Sequence, residues 1–257
     1  MNSEDKQFRE LFDKLKQYSS DKEKYISEII DSVILILVNR RIRKEDNLDQ
    51  VKVDNFSDYV KSMLKDLYED YVDRSGSQND VGTDIEYIGS GFTCIAFRVG
   101  DNVIKFGKSE NAIFQTELDS IYQIPTYLRE CYEAGNNVHF RVEIAPYADT
   151  NNISYEDLYT AYSGIRSLGY IWNDPKEENL GRIVGVSGCK IGGKQYLPSQ
   201  QHKKGDLVVL DLEDISYVGL ETSDVVLEEI SMMSYNRNVY KLETRYMEEQ
   251  KERKNKK

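Results

Sequence analysis

The hydrophobic period of the chain changes near residue 84, and no other feature limits the possible folds as strongly. Before that point apolar residues recur at the 3.6-residue spacing that gathers them on one side of a helix. Phe8, Leu11, Phe12 and Leu15 form one stripe, and Ile26, Ile29, Ile30, Val33, Ile34 and Leu37 a second. Phe56, Tyr59, Val60, Met63, Leu64, Leu67, Tyr68 and Tyr71 form a third. Amphipathic helices of this kind must bury their stripes on one another or on the region beyond residue 84. Residues 73–83, which include Ser75-Gly76-Ser77-Gln78-Asn79-Asp80, have the composition of a linker. A boundary is therefore expected there, with a helical region over 1–80 and a second region over 81–257.

Beyond residue 84 short runs bounded by Gly, Asn and Asp read as strands. Ile85-Glu86-Tyr87-Ile88 leads into Gly89-Ser90-Gly91, and residues 94–99 meet 103–106 across the turn Gly100-Asp101-Asn102. Strands over 127–132 and 138–144, joined through Ala134-Gly135-Asn136-Asn137, bring the expected antiparallel sheet to five. Ser154 with Asp157 three residues on resembles a capping box, after which Tyr155, Leu158, Tyr159, Tyr162 and Ile165 trace a helical face to Gly169. That helix delivers the chain to Trp172-Asn173-Asp174. Residues 180–186 and 207–210 fit buried strands, 188–205 a polar loop, and 225–233 and 239–247 closing helices.

Composition removes several function classes. With 34 Lys+Arg against 45 Asp+Glu the net charge is −11, which argues against a general nucleic-acid binder, since such affinity rests on cations neutralising phosphates. The basic end, with Lys251, Arg253, Lys254, Lys256 and Lys257, reads as a solvated tail. The longest apolar run, 33–38, is far short of the roughly 20 residues that span a bilayer, so no membrane span is expected. The N-terminus lacks a secretory pattern, which leads us to expect a cytoplasmic protein. Cys94, Cys131 and Cys189 form no C-x-x-C, and His139 and His202 are the only imidazoles, so neither a structural zinc nor a disulfide scaffold is expected.

Three motifs carry chemistry. Gly89-x-Gly91 alone marks ordinary turns as readily as phosphate sites, but here it joins two strands, and the next strand holds Lys105 inside an apolar stretch. Such a lysine either snorkels to the sheet edge or faces an anion. Asp174-Pro175-Lys176-Glu177-Glu178-Asn179 offers a carboxylate to accept a hydroxyl proton, an ammonium to meet a phosphoryl group, and an amide oxygen for Mg²⁺. Leu207-Val208-Val209-Leu210-Asp211 is an apolar strand ending in an acid, suited to a metal that bridges phosphates or, more simply, to a turn or helix cap.

The order of these parts resembles the protein-kinase-like superfamily in a reduced bacterial form, over roughly residues 84–215. The resemblance implies an α+β, protein-kinase-like bilobal fold. Its parts would be a five-stranded antiparallel sheet in a small lobe (81–147), a reduced helical large lobe (148–257) and an N-terminal helical extension. It also implies ATP and Mg²⁺ as cofactors. Gly89, Ser90 and Gly91 would cover the phosphates, Lys105 would hold the α- and β-phosphates, and Glu143 and Ala145 would lie at the hinge that receives adenine. Asp174 would be the catalytic base, Lys176 would neutralise the moving phosphoryl group, and Asn179 and Asp211 would bind the metal. Glu117, with Glu110 behind it, would pair with Lys105. The sequence departs from the family pattern where Cys94 replaces the third glycine, Trp172-Asn173 the His-Arg before the base, and Asp211-Leu212-Glu213 the Asp-Phe-Gly. The implied activity is a kinase acting on a protein hydroxyl. The alternatives are a nucleotide-binding pseudokinase or interaction module, a small-molecule kinase and an AMP transferase.

Overall fold

A computed structural model of the chain describes residues 3–41, 48–90, 94–109, 121–135, 138–198, 201–210, 215–217, 219 and 237–255. It has a mixed α+β fold. The three apolar stripes become α1 (Ser3–Leu15), α2 (Lys22–Arg41) and α3 (Gln50–Ser75). Asp49 caps α3 by accepting from the backbone N–H groups of Val51 and Lys52, a bond set that satisfies donors the first turn leaves unpaired. A short α4 (Val81–Asp84) leads into β1 (Ile85–Ser90), β2 (Cys94–Val99), β3 (Asn102–Ser109), β4 (Leu128–Gly135) and β5 (Val138–Pro146). Further along come β6 (Ala148–Asp149), α5 (Tyr155–Ser167), β7 (Tyr170–Trp172), β8 (Leu180–Ile183), β9 (Cys189–Ile191) and β10 (Lys194–Tyr196). The chain ends with β11 (Leu207–Val209), β12 (Ile215–Tyr217) and α6 (Arg237–Asn255). The expected helix over 239–247 is part of α6, whereas the one over 225–233 lies outside the described residues.

The chain divides into two compact units, the first from Met1–Phe114, Pro125–Tyr147 and Gly185–Gln200, the second from Gln115–Ile124, Ala148–Val184 and Gln201–Lys257. In the first unit the five strands form an antiparallel sheet in the order β1-β2-β3-β5-β4. Strand side chains alternate between faces, and one face sends Ile95, Phe97, Ile104, Phe106, Phe140, Val142 and Ile144 into a core shared with α1, α2 and α3. Aromatic contacts bind the layers: Phe12 meets Phe97 edge-on at 5.1 Å and Phe56 stacks on Phe140 at 4.9 Å. The β2–β3 turn is fixed by Gly100, whose φ is +60° and where a Cβ would lie 2.1 Å from the Tyr71 ring of α3. No side chain fits there, so the turn sits flat on the helix.

The structure corrects one expectation in this unit. Residues 188–205 are not a plain polar loop, because they contain the β9–β10 hairpin, whose two-residue turn Gly192-Gly193 has φ of +56° and +75°. Those dihedrals match the right-handed strand twist and demand glycine. Cys189 and Ile191 are buried in the α1–α3 core, and the Gly192 N–H donates to Asp66 of α3 at 2.6 Å. Burial pushes the Cys189 thiol up to about 12.

The second unit has its own core of Leu158, Tyr159, Ala161, Tyr162, Ile165, Trp172, Leu180, Val209, Ile215 and Leu242. The Ser154–Asp157 capping box is present at the start of α5, and Gly169, at φ +88°, ends the turn after it. Two small β ladders frame the segment after α5: β12 pairs with β7, and β11, β8 and β6 form a three-stranded sheet. Among the described residues no helix is long and apolar enough to cross a membrane.

Candidate functional site

The segment 173–179 joins β7 to β8 in the second unit, and the pairing of its neighbours sets its conformation. Trp172 is opposite Ile215 in one ladder and Leu180 opposite Val209 in the other. Trp172 and Leu180 are fully buried, so both ends of the segment are anchored in the core. Between the anchors, Lys176 Nζ donates to Asp174 Oδ2 at 2.7 Å, and Asn179 Nδ2 donates to the Asp174 carbonyl at 3.1 Å. A 3-10 turn over Glu177–Asn179 brings the amide back towards Asp174. Asn173 Nδ2 reaches Ser216 Oγ at 3.0 Å across the β7–β12 ladder. The Leu210 N–H donates to the Asn179 carbonyl at 2.9 Å, so the chain leaving β11 is tied to the far end of the same segment. Asp174, Lys176 and Asn179 are thus brought together in one bonded loop. Asp211, the residue after Leu210, lies outside the described residues.

The remaining expected residues of the first unit fall on its sheet. Directly opposed residues in antiparallel strands point to the same face. The registers Gly89–Ala96, Ala96–Lys105, Lys105–Glu143 and Glu143–Arg129 therefore set five residues in one transverse row over all five strands. A bulge between Tyr87 and Gly89 shifts the end of β1 and puts Gly89, not Ile88, opposite Ala96. The row lies on the face away from the three helices and is half-buried. Glu143 is held between two paired neighbours, and its Oε2 accepts from Arg129 Nε at 3.2 Å. Ala145 is opposite Val103, and Ser90 opposite Ile95 on the helix-covered side. Gly91 and Glu117, with Glu110, lie outside the described residues.

Next to this row, Arg141 Nε donates to Cys94 Sγ at 3.0 Å, and on the other side Arg98, the residue before the last of β2, donates through Nε to the Gly100 carbonyl at 2.7 Å. Around Glu143 the helix-free face is therefore cationic, with Lys105, Arg98, Arg129 and Arg141. A second acid, Glu86, stands at the β1 edge of this face, opposite Arg98. Sequence reading misses the Arg129–Glu143 pair because the two residues are 14 apart and come together only through the β4–β5 register.

Asn179 uses its amide nitrogen on the Asp174 carbonyl, which turns its amide oxygen away from that contact, and oxygen is what Mg²⁺ requires. Among the described residues no group of three or more His, Cys, Asp or Glu could hold a metal ion by itself. Mg²⁺ at a nucleotide site does not need such a cage, since it is commonly held by one or two protein oxygens together with the phosphates. Comparison with protein-family models, with curated proteins and with solved structures found no match to this chain.

Proposed function

We propose that the chain is a Mg²⁺-ATP-dependent phosphotransferase of protein-kinase-like type that transfers the γ-phosphoryl group to a protein hydroxyl. The observation that carries the reading is the bonded loop: Asp174, Lys176 and Asn179 share one segment, and the Asn179 carbonyl ties that segment to the strand exit leading into Asp211. A base, an ammonium and oxygen donors in that arrangement are the set phosphoryl transfer uses, because the chemistry is mostly positioning and charge neutralisation. The sheet order β1-β2-β3-β5-β4, with Lys105 on the helix-free face of the central strand, supports the small-lobe assignment.

In this reading Asp174 accepts the proton of the attacking hydroxyl as its oxygen bonds to the γ-phosphorus. The bond from that phosphorus to the β,γ-bridging oxygen breaks, and ADP leaves. Lys176 moves from Asp174 Oδ2 to the transferring oxygens, and Lys105 holds the α- and β-phosphates. Asn179 and Asp211 would hold Mg²⁺, which neutralises phosphate charge when bound.

Incubation of the full chain with γ-labelled ATP, Mg²⁺ and casein as a generic acceptor tests the reading. Label is expected on protein, acid-stable as a phosphoester, and its transfer is abolished when EDTA is present in the reaction. Transfer of the α-phosphate label instead identifies AMP transfer, and tight ATP binding with no transfer of either label identifies a binding module. Either result overturns the proposal.

A further inference from the structure

β8 and β11 lie side by side in the second unit, yet the chain between them joins the first. This excursion is closed at its base. The Gly205 N–H donates to the Ile183 carbonyl at 2.7 Å, and the Ile183 N–H donates to the Asp206 carbonyl at 3.0 Å. The two ends therefore stay together whether or not the hairpin between them is seated. We propose that residues 185–198, with β9 and β10, form a strap that lifts off the α3 side of the first unit and reseats as one piece while the rest of the fold stays intact.

Few contacts hold the strap down. Among the described residues β9 and β10 pair only with each other, so no ladder joins them to the five-stranded sheet. Two side chains, Cys189 and Ile191, are buried in the shared core, and Tyr196 packs against it. At the tip, the Gly192 N–H bonds to Asp66. At the base, Ser187 Oγ donates to Asp101. The Gly188 N–H donates to the Tyr127 hydroxyl at 3.3 Å and Asn102 Nδ2 to the Gly188 carbonyl at 3.4 Å, both longer than the usual range. Inside the hairpin, Gln195 Nε2 donates to the Cys189 carbonyl at 3.2 Å, a bond that travels with the three ladder pairs.

The seated state also carries a cost. Asn102 is fully buried beside Gly188, and its Oδ1 accepts no hydrogen bond. A buried acceptor without a donor is unfavourable, and lifting the strap returns it to water. Local opening draws on the least anchored parts of a fold, and this hairpin is one of them. A partner that binds the open form more tightly shifts the chain towards it, which makes the strap a point of control.

Cys189 reports on the opening. Its side chain is fully buried when the strap is seated, and burial disfavours the thiolate, so alkylation requires the strap to lift. The full wild-type chain is treated with iodoacetamide over a series of urea concentrations, and peptide mapping gives the rate at Cys189. Division by the rate in the unfolded chain gives the opening constant. It is expected to exceed the global unfolding constant from urea denaturation at least about 100-fold, and to change little with urea below the transition, because little surface is exposed. Asp66→Ala removes the acceptor of the Gly192 N–H and should speed alkylation about 10-fold.

An opening constant no larger than that of global unfolding, with the full urea slope, would make the hairpin an integral part of the core and overturn the inference. An unchanged rate in Asp66→Ala would overturn it too, as would alkylation of the wild type at the unfolded-chain rate, since the strap would then never be seated. Should Asp66→Ala not fold, the wild-type series decides alone. Nucleotide is absent throughout, so none of these results bears on the phosphotransferase reading.

Discussion

Asp174→Ala is expected to slow phosphoryl transfer about 100- to 10,000-fold, the range by which a positioned general base accelerates proton transfer. The protein should remain folded. Asp174 is 30% exposed, and its ion pair with Lys176, which is 44% exposed, is an exposed one. Such a pair contributes about 0–1 kcal/mol. The loop should also keep its shape, since Asn179 bonds to the Asp174 carbonyl and Leu210 to the Asn179 carbonyl, and the backbone supplies both in the variant. Label transfer measured alongside the thermal midpoint checks this. An unchanged rate, or a rate lost only in step with unfolding, would remove Asp174 from the chemistry.

The second large effect concerns stability. Arg166 on α5 and Glu243 on α6 are both fully buried, paired at 3.0 Å from Nε to Oε1. Tyr162 OH donates to Glu243 Oε2 at 2.8 Å, and Arg166 Nη1 donates to the Gly219 carbonyl at 2.8 Å. Burial, and then the Glu243 charge, push the Tyr162 hydroxyl well above the usual phenol range, so it acts as a donor. Glu243→Ala would leave a buried guanidinium without its carboxylate and a tyrosine without its acceptor. The cost expected for breaking such a pair from one side is about 3–5 kcal/mol. Replacing both partners by Leu should cost clearly less, because the uncompensated charge is gone. Chemical denaturation of the two variants measures the difference. Equal destabilisation by the single and double changes would mean that packing, not charge, dominates at α5–α6.

Much of this fold is legible in the residues. The three stripes at helical spacing, the Ser154–Asp157 cap, the Gly169 stop and the Gly100-Asp101-Asn102 turn are local signals, each written within a few positions. The β9–β10 hairpin is harder to read because its strands are three residues each, with Cys189 and Ile191 buried in the core and Tyr196 packed against it, too short a run to show alternation. Its turn, Gly192-Gly193, is the legible part. The pairs Arg129–Glu143 and Arg166–Glu243 leave no such trace, since their members are brought together by strand register and helix packing. The same holds for the row from Gly89 to Arg129. Local sequence indicates Lys105, but only the register shows that Glu143 is opposite to it.

The proposed phosphotransferase activity requires that Lys105 and the Asp174–Asn179 loop serve one nucleotide. An ATP analogue with a reactive acyl group on its terminal phosphate acylates the lysines that touch the phosphates, and peptide mapping identifies them. The account predicts acylation of both Lys105 and Lys176, suppressed by excess Mg²⁺-ATP. Acylation confined to other lysines, or insensitive to ATP, would contradict it.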